Sequence, residues 1–191
     1  MTNVSIIGMG NMGEAISALV ERGGHTVQKL TRQDASVPVK GDIVVLAVPY
    51  ASLDSIVAER GEQLAGKTVV DITNPVNFET FDGLTVPADS SAAAELAAKL
   101  PNSNVLKAFN TNFGATLATG KVGDLTTSVL IAGDDQDAKA QLSDVVTASG
   151  ANIIDAGSLK RAREMEGIGF LQITFAASEQ IAWTSGFGIV K

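Results

Sequence analysis

The chain has 191 residues, 45% hydrophobic and 18% charged, a balance that builds a packed core and excludes a disordered chain. It has no cysteine and one histidine, His25, which excludes disulfides, thiolate nucleophiles, iron–sulfur clusters and a multi-histidine metal site within one chain. Fourteen basic against 21 acidic residues leave a formal charge of −7, which argues against a general nucleic-acid binder.

Taken in chain order, Asn3–Ile7 reads as a strand, followed by glycines and a helix from about Asn11 to Arg22 that Gly23 and Gly24 stop. Thr26–Thr31 is a second strand, unusually polar at Gln28 and Lys29. Asp42–Val48 is a continuous apolar run of the kind buried on both faces of a sheet. Ser52–Leu64 then reads as helix, Lys67–Ile72 as strand, and Thr73–Pro87 as loop, with Asp82-Gly83 as a turn signal. Ser91–Leu100 is an alanine-rich helix, Asn104–Phe109 and Thr127–Ala132 are strands, Asp137–Ser149 a helix, Ala151–Asp155 the last strand, and Leu159–Trp183 one long helix. Strands separated by helices imply right-handed crossovers and an α/β fold with a doubly wound, mostly parallel sheet. Nothing divides residues 1–191 into two domains.

Gly8-Met9-Gly10-Asn11-Met12-Gly13 matches the dinucleotide fingerprint Gly-x-Gly-x-x-Gly. Alone the motif is weak. Here a strand ends directly before it and a helix opens inside it, the context that a Rossmann nucleotide-binding fold demands. Gly8 permits a tight turn, Gly10 lets a pyrophosphate approach the backbone, and Gly13 allows close packing. Free N–H groups at the helix start and the positive end of its dipole favour the bound anion.

The second strand ends in Thr31-Arg32-Gln33, where an NAD site usually carries an acidic residue for the ribose 2′-OH. A hydroxyl and a guanidinium suit a 2′-phosphate, so NADP(H) is expected over NAD, although Asp34 lies close by. Further cofactor contacts are expected from the carboxyl ends of strands: Ala47, Val48, Pro49 and Tyr50, then Asn74 and Pro75, then Asn110. Asn74 and Asn110 can orient a carboxamide or a ribose, and either is equally a plain turn residue.

With these residues in view, the chain resembles the small NADP oxidoreductases of the deazaflavin-coenzyme-dependent family. The matching stretches are residues 6–13, Thr31-Arg32, 42–49, 70–75, 105–111, 131–135 and 155–166. The resemblance implies NADP(H) binding and hydride exchange with a flat flavin-like or deazaflavin acceptor. A similar domain serves the cytosolic side of six-transmembrane metal reductases. It also implies that Thr31 and Arg32 take the 2′-phosphate, that Met9, Asn11 and Met12 line the diphosphate turn, and that Asn74 and Asn110 border the nicotinamide. One departure is visible: between Arg32 and Asp42 there is room only for a short loop, so the usual helix after the second strand is largely missing.

His25 precedes the second strand, opposite the cofactor edge, and reads as structural. With no imidazole acid, Lys107, Tyr50 and Lys160 are the local candidates for a proton donor, each with an ordinary structural reading. A site without an acid–base pair suits flavin-type hydride transfer, where the redox partner carries the chemistry. A non-catalytic NADP(H)-sensing protein, or a carbonyl or imine reductase with a site shared across a dimer, are the alternatives.

The helix 159–183 is expected either to cover its own sheet or to form a homodimer interface that brings Trp183 or Phe187 to a partner's cleft. Its segment Gly167–Ala177 is apolar around most of its circumference. No run reaches the ~18 apolar residues that span a bilayer, and the N-terminus lacks a basic leader segment. The expectation is a cytoplasmic protein with no membrane partner and a small-molecule acceptor.

Overall fold

The computed structural model describes residues 1–190. Its elements begin with β1 (Asn3–Ile7), α1 (Asn11–Arg22), β2 (Thr26–Leu30), β3 (Ile43–Leu46), α2 (Leu53–Leu64), β4 (Thr68–Asp71) and α3 (Ala92–Lys99). They continue with β5 (Asn104–Ala108), α4 (Gly114–Thr119), β6 (Lys121–Val122), β7 (Leu125–Thr126), β8 (Ser128–Gly133), α5 (Gln136–Ala148), β9 (Asn152–Gly157) and α6 (Ala162–Ala177).

Seven strands form one sheet in the order β2-β1-β3-β4-β5-β8-β9. The first five are parallel, β8 runs antiparallel to β5, and β9 is parallel to β8. The central strands alternate between two cores, as a period of two requires. Val4, Ile6, Ile43 and Val45 pack towards α1, α4 and α5. Ile7, Val44 and Leu46 pack against residues of α2, α3 and α6. Burial on both faces explains why Ile43–Leu46 reads as an unbroken apolar run.

Like β9 at the other side of the sheet, β2 is an edge strand, which accounts for its polarity. Gln28 Nε2 donates to Pro38 O and Gln28 Oε1 accepts from Lys40 N, so the strand is tied to the loop that follows it. The missing helix between β2 and β3 is real. A single 3₁₀ turn at Arg32–Asp34 stands there, and the loop is held by Arg60 and Gln63 of α2.

Three features depart from the sequence expectation. The helix expected over 159–183 is a 3₁₀ turn at Leu159–Arg161 followed by α6, which stops at Ala177. There Ser178 turns its hydroxyl onto Thr174 O and Glu179 takes a left-handed backbone (φ 60°), so the last residues form an irregular tail. The short α4 and the β6–β7 hairpin were not anticipated. They are too brief to show a hydrophobic period, and they return the chain without the long crossover that a parallel β5–β8 pairing would need.

Candidate functional site

β2 lies on one side of β1 and β3 on the other, so the winding direction reverses between β1 and β3. A crevice opens there, outside the carboxyl ends of the strands. It is a cavity of about 780 Å³ lined by Gly8, Met9, Gly10, Thr31, Arg32, Ala47, Val48 and Pro49 of the sequence-derived set. Ile7, Gln33 and five residues around α2 complete the wall: Ser52, Ser55, Ile56, Glu59 and Arg60.

The three glycines differ in what they permit. Gly8 has φ +101°, and a Cβ there would sit 2.2 Å from Ala47 O, so the turn needs glycine twice over. A Cβ on Gly13 would lie 2.0 Å from Gly8 O, which fixes how closely α1 approaches the turn. At Gly10 a Cβ would meet no protein atom within 4 Å. Packing therefore does not explain the bare backbone there; it leaves space on the wall of the cavity. No side chain caps α1 at Gly10, so the N–H groups of its first turn lack a side-chain partner. Bare backbone, an uncapped helix start and an open cavity fit the pyrophosphate of a dinucleotide.

Thr31 caps the 3₁₀ turn reciprocally with Asp34. Its N–H and its Oγ1 both donate to Asp34 Oδ2, at 2.8 and 2.7 Å, while Gln33 N donates to Thr31 Oγ1 at 3.2 Å. The hydroxyl hydrogen bond, then the backbone one, hold the Asp34 carboxyl below its ordinary range. Arg32 is exposed and makes no ion pair among the described residues. Arg60 is the opposite case. Its side chain is 1% exposed, pairs with Glu59 at 3.1 Å and donates to Val37 O at 2.9 Å and to Asp34 O. Sequence reading overlooked it because a lone arginine inside a helix carries no motif.

Further along the same edge, β5 is followed by Phe109, which holds a left-handed backbone (φ 61°) although buried. Such a conformation costs of order 1–3 kcal/mol, and here it turns the chain sharply before Asn110. Asn74 and Asn110 then bond each other. Asn74 Nδ2 donates to Asn110 O at 2.8 Å, and Asn110 Nδ2 donates to Asn74 Oδ1 and to Met165 O, both at 2.9 Å. Gly169 of α6 makes room for the pair, since a Cβ there would lie 2.3 Å from Asn74 Oδ1.

Both asparagines, with Met12, line a second cavity of about 220 Å³ whose other walls are mainly apolar: Ile72, Phe78, Phe113, Ile173 and Trp183, with Asn112. Trp183 packs on the chain's own Phe113 (centroids 5.0 Å apart), and Phe187 lies edge-on to Phe175. Asn11 and Gly13 sit in the first turn of α1. Tyr50 and Pro75 are on the wall of neither cavity.

The structure removes Lys107 from the set of proton donors. It is fully buried, and its Nζ reaches Asp71 Oδ2 and Glu166 Oε1 at 2.8 Å and Thr73 O at 2.5 Å. Burial pushes the Glu166 carboxyl up and Lys107 pulls it back, with a net rise. Glu166 also accepts from Ala92 N and Ala93 N at the start of α3. Tyr50 donates to Glu95 Oε2 at 2.6 Å, and burial followed by that bond pushes its phenol up to about 12. Lys160 is exposed on the turn before α6, and His25 accepts from Thr2 N at the opposite end of the strands.

Comparison with known proteins bears on this edge. Residues 16–75 match the family described as NADP oxidoreductase, coenzyme F420-dependent. The family resemblance read from the sequence holds. Among relatives, the chain is 37% identical over 126 residues to the metalloreductase STEAP3 of Rattus norvegicus, covering 66% of this chain and 24% of that protein. It is 32% identical over 133 residues to the F420-dependent NADP reductase of Methanocaldococcus jannaschii, covering 68% of this chain and 59% of the relative. The chain thus spans less than two thirds of either relative. A crystal structure of a candidate F420-dependent NADP reductase from Arthrobacter sp. FB24 superposes with a TM-score of 0.85 over 100% of both chains, at 23% identity, which establishes a shared fold. Among the described residues no helix is long and apolar enough to cross a membrane, and no cluster of His, Cys, Asp or Glu could hold a metal ion.

Proposed function

We propose that the protein is an NADPH-dependent oxidoreductase that exchanges hydride between the nicotinamide and a flavin-like or deazaflavin acceptor. The observation that carries this reading is the pair of cavities along one sheet edge. The larger joins a bare glycine turn to Arg32, and the smaller, lined by Met12 of the first turn of α1 and by aromatic side chains, suits a flat ring. The matching family's description and the name of the Methanocaldococcus jannaschii relative support the cofactor and acceptor classes.

In this reading the first turn of α1 and Gly10 hold the diphosphate, Thr31 and Arg32 hold the 2′-phosphate, and Ala47, Val48 and Pro49 pack along the dinucleotide. Bound nicotinamide supplies the hydride. The chain's own part is orientation and exclusion of water. Phe109 and the Asn74–Asn110 pair set a fixed border at the nicotinamide end, and Phe78, Phe113 and Trp183 cover the acceptor. No free acid or base is required of the protein, which agrees with Lys107 and Tyr50 both being engaged elsewhere. A cytoplasmic homodimer belongs to the same proposal. Its support is the run of exposed apolar residues on α6 and the tail, among them Ile168, Leu171, Phe187 and Val190, and a monomeric mass by light scattering would remove it.

The test is anaerobic loss of nicotinamide absorbance with purified protein, NADPH and either coenzyme F420 or FMN. Rapid loss with one acceptor is expected. Tight NADPH binding without loss in either case would favour a sensing role instead.

A further inference from the structure

We propose that Asp34 is a specificity-determining residue at the ribose 2′ position, one that counteracts Arg32 and lets the cleft accept NADH alongside NADPH. The inference rests on the assignment of Thr31 and Arg32 to the 2′ end of the nucleotide.

Three observations carry it. The Thr31 hydroxyl proton is already donated to Asp34 Oδ2, and the Thr31 oxygen accepts from Gln33 N, so the hydroxyl offers no uncommitted proton to a phosphate. To gain that bond a 2′-phosphate must displace a carboxylate, bringing two anions together. A neutral 2′-hydroxyl carries no charge to oppose the carboxylate and meets no such cost.

The second observation is the charge balance of the wall. Of the two arginines on the cavity, Arg60 is paired with Glu59 and has its guanidinium anchored to the carbonyls of Val37 and Asp34. Arg32 alone is left to attract a phosphate. Asp34 stands two residues along the same turn, so the Arg32–Asp34 turn carries no formal net charge where a strict NADP site would be positive.

The third is the state and fixity of the carboxylate. Two hydrogen bonds from Thr31 favour its ionised form at neutral pH. Arg60 pins the backbone oxygen of the same residue from α2, which fixes the turn, while the carboxylate itself is held by its two bonds from Thr31.

The test measures dissociation constants for NADPH and NADH by nucleotide fluorescence, without any acceptor, on the wild type, Asp34→Asn, Asp34→Ala and Arg32→Ala. Asparagine keeps an oxygen for Thr31 and removes only the charge. Asp34→Asn is expected to tighten NADPH by about fivefold and to leave NADH within about twofold, at an unchanged thermal midpoint. The gain should shrink in about 0.5 M salt, because the site is open to solvent. Asp34→Ala should show the same preference for NADPH. An unchanged NADPH to NADH ratio in Asp34→Asn, with Asp34→Ala weakening both nucleotides equally, would make Asp34 a purely structural cap and overturn the proposal. If Arg32→Ala still weakens NADPH selectively in that case, the assignment of the 2′ end survives. If the wild type binds neither nucleotide, both fall together.

Discussion

At the carboxyl ends of β1, β2 and β3 the polar groups face an open cleft: among the described residues no side chain caps the first turn of α1 and none forms an ion pair with Arg32. At the carboxyl ends of β4 and β5, a few residues further along the same sheet, Asp71, Lys107 and Glu166 are buried and answer one another, and Asn74 and Asn110 are tied together by two hydrogen bonds that leave Asn110 Oδ1 without a partner among the described residues. One half is left available for an anionic ligand. The other uses its polar groups to lock β4, β5, α3 and α6 together. A hydride-transfer site profits from both, since binding needs free donors while transfer needs a border that does not move.

The largest effect should come from breaking the locked half. Lys107→Met leaves two carboxylates without their buried cation and is expected to cost about 3–5 kcal/mol in urea unfolding. Restoring neutrality with Asp71→Asn and Glu166→Gln should recover part of it. A loss under about 1 kcal/mol would mean that the cluster does not hold this half together. Breaking the open half should leave stability alone. Gly10→Val is expected to weaken NADPH and NADH alike by about tenfold or more with no change in unfolding midpoint, because its Cβ enters free space on the cavity wall. Unchanged binding would place the pyrophosphate elsewhere.

Two smaller effects sharpen the contrast through pH. The Glu166 carboxyl is raised above its ordinary value of 4.5, so the stability linked to it is full below that value and is lost as pH rises through the raised one. The stability of the wild type relative to Glu166→Gln should therefore decline as pH climbs above 4.5, and a flat difference would remove desolvation as the cause. Tyr50 is the only tyrosine, so absorbance titration reads it without interference. Its midpoint should lie near 12 in the wild type and fall only part of the way towards 10 in Glu95→Gln, because burial, the larger cause, remains. A wild-type midpoint near 10 would show that Tyr50 is neither buried nor bonded to Glu95 in solution.

Much of this architecture is local in origin and could be read from the chain alone. Strands buried on both faces announce themselves as apolar runs, a glycine fingerprint needs only its strand and helix neighbours, and the shortness of the 33–41 loop is a matter of counting. What escaped were features made by residues far apart in sequence. Lys107 reads as a strand-end lysine until Asp71 and Glu166 arrive from β4 and α6; Arg60 reads as a helix-surface arginine until the loop after β2 folds beneath it. The tail was read as helix because its composition is apolar, whereas its last turn is undone by Ser178 and Glu179 and its aromatic residues find Phe113 and Phe175 instead. The sequence by itself determined the winding of the sheet and the glycine turn, because backbone sterics and burial act over a few neighbouring residues. Only the tertiary structure decided which charges neutralise each other and which remain free, because that depends on the distance between groups and the water excluded from between them.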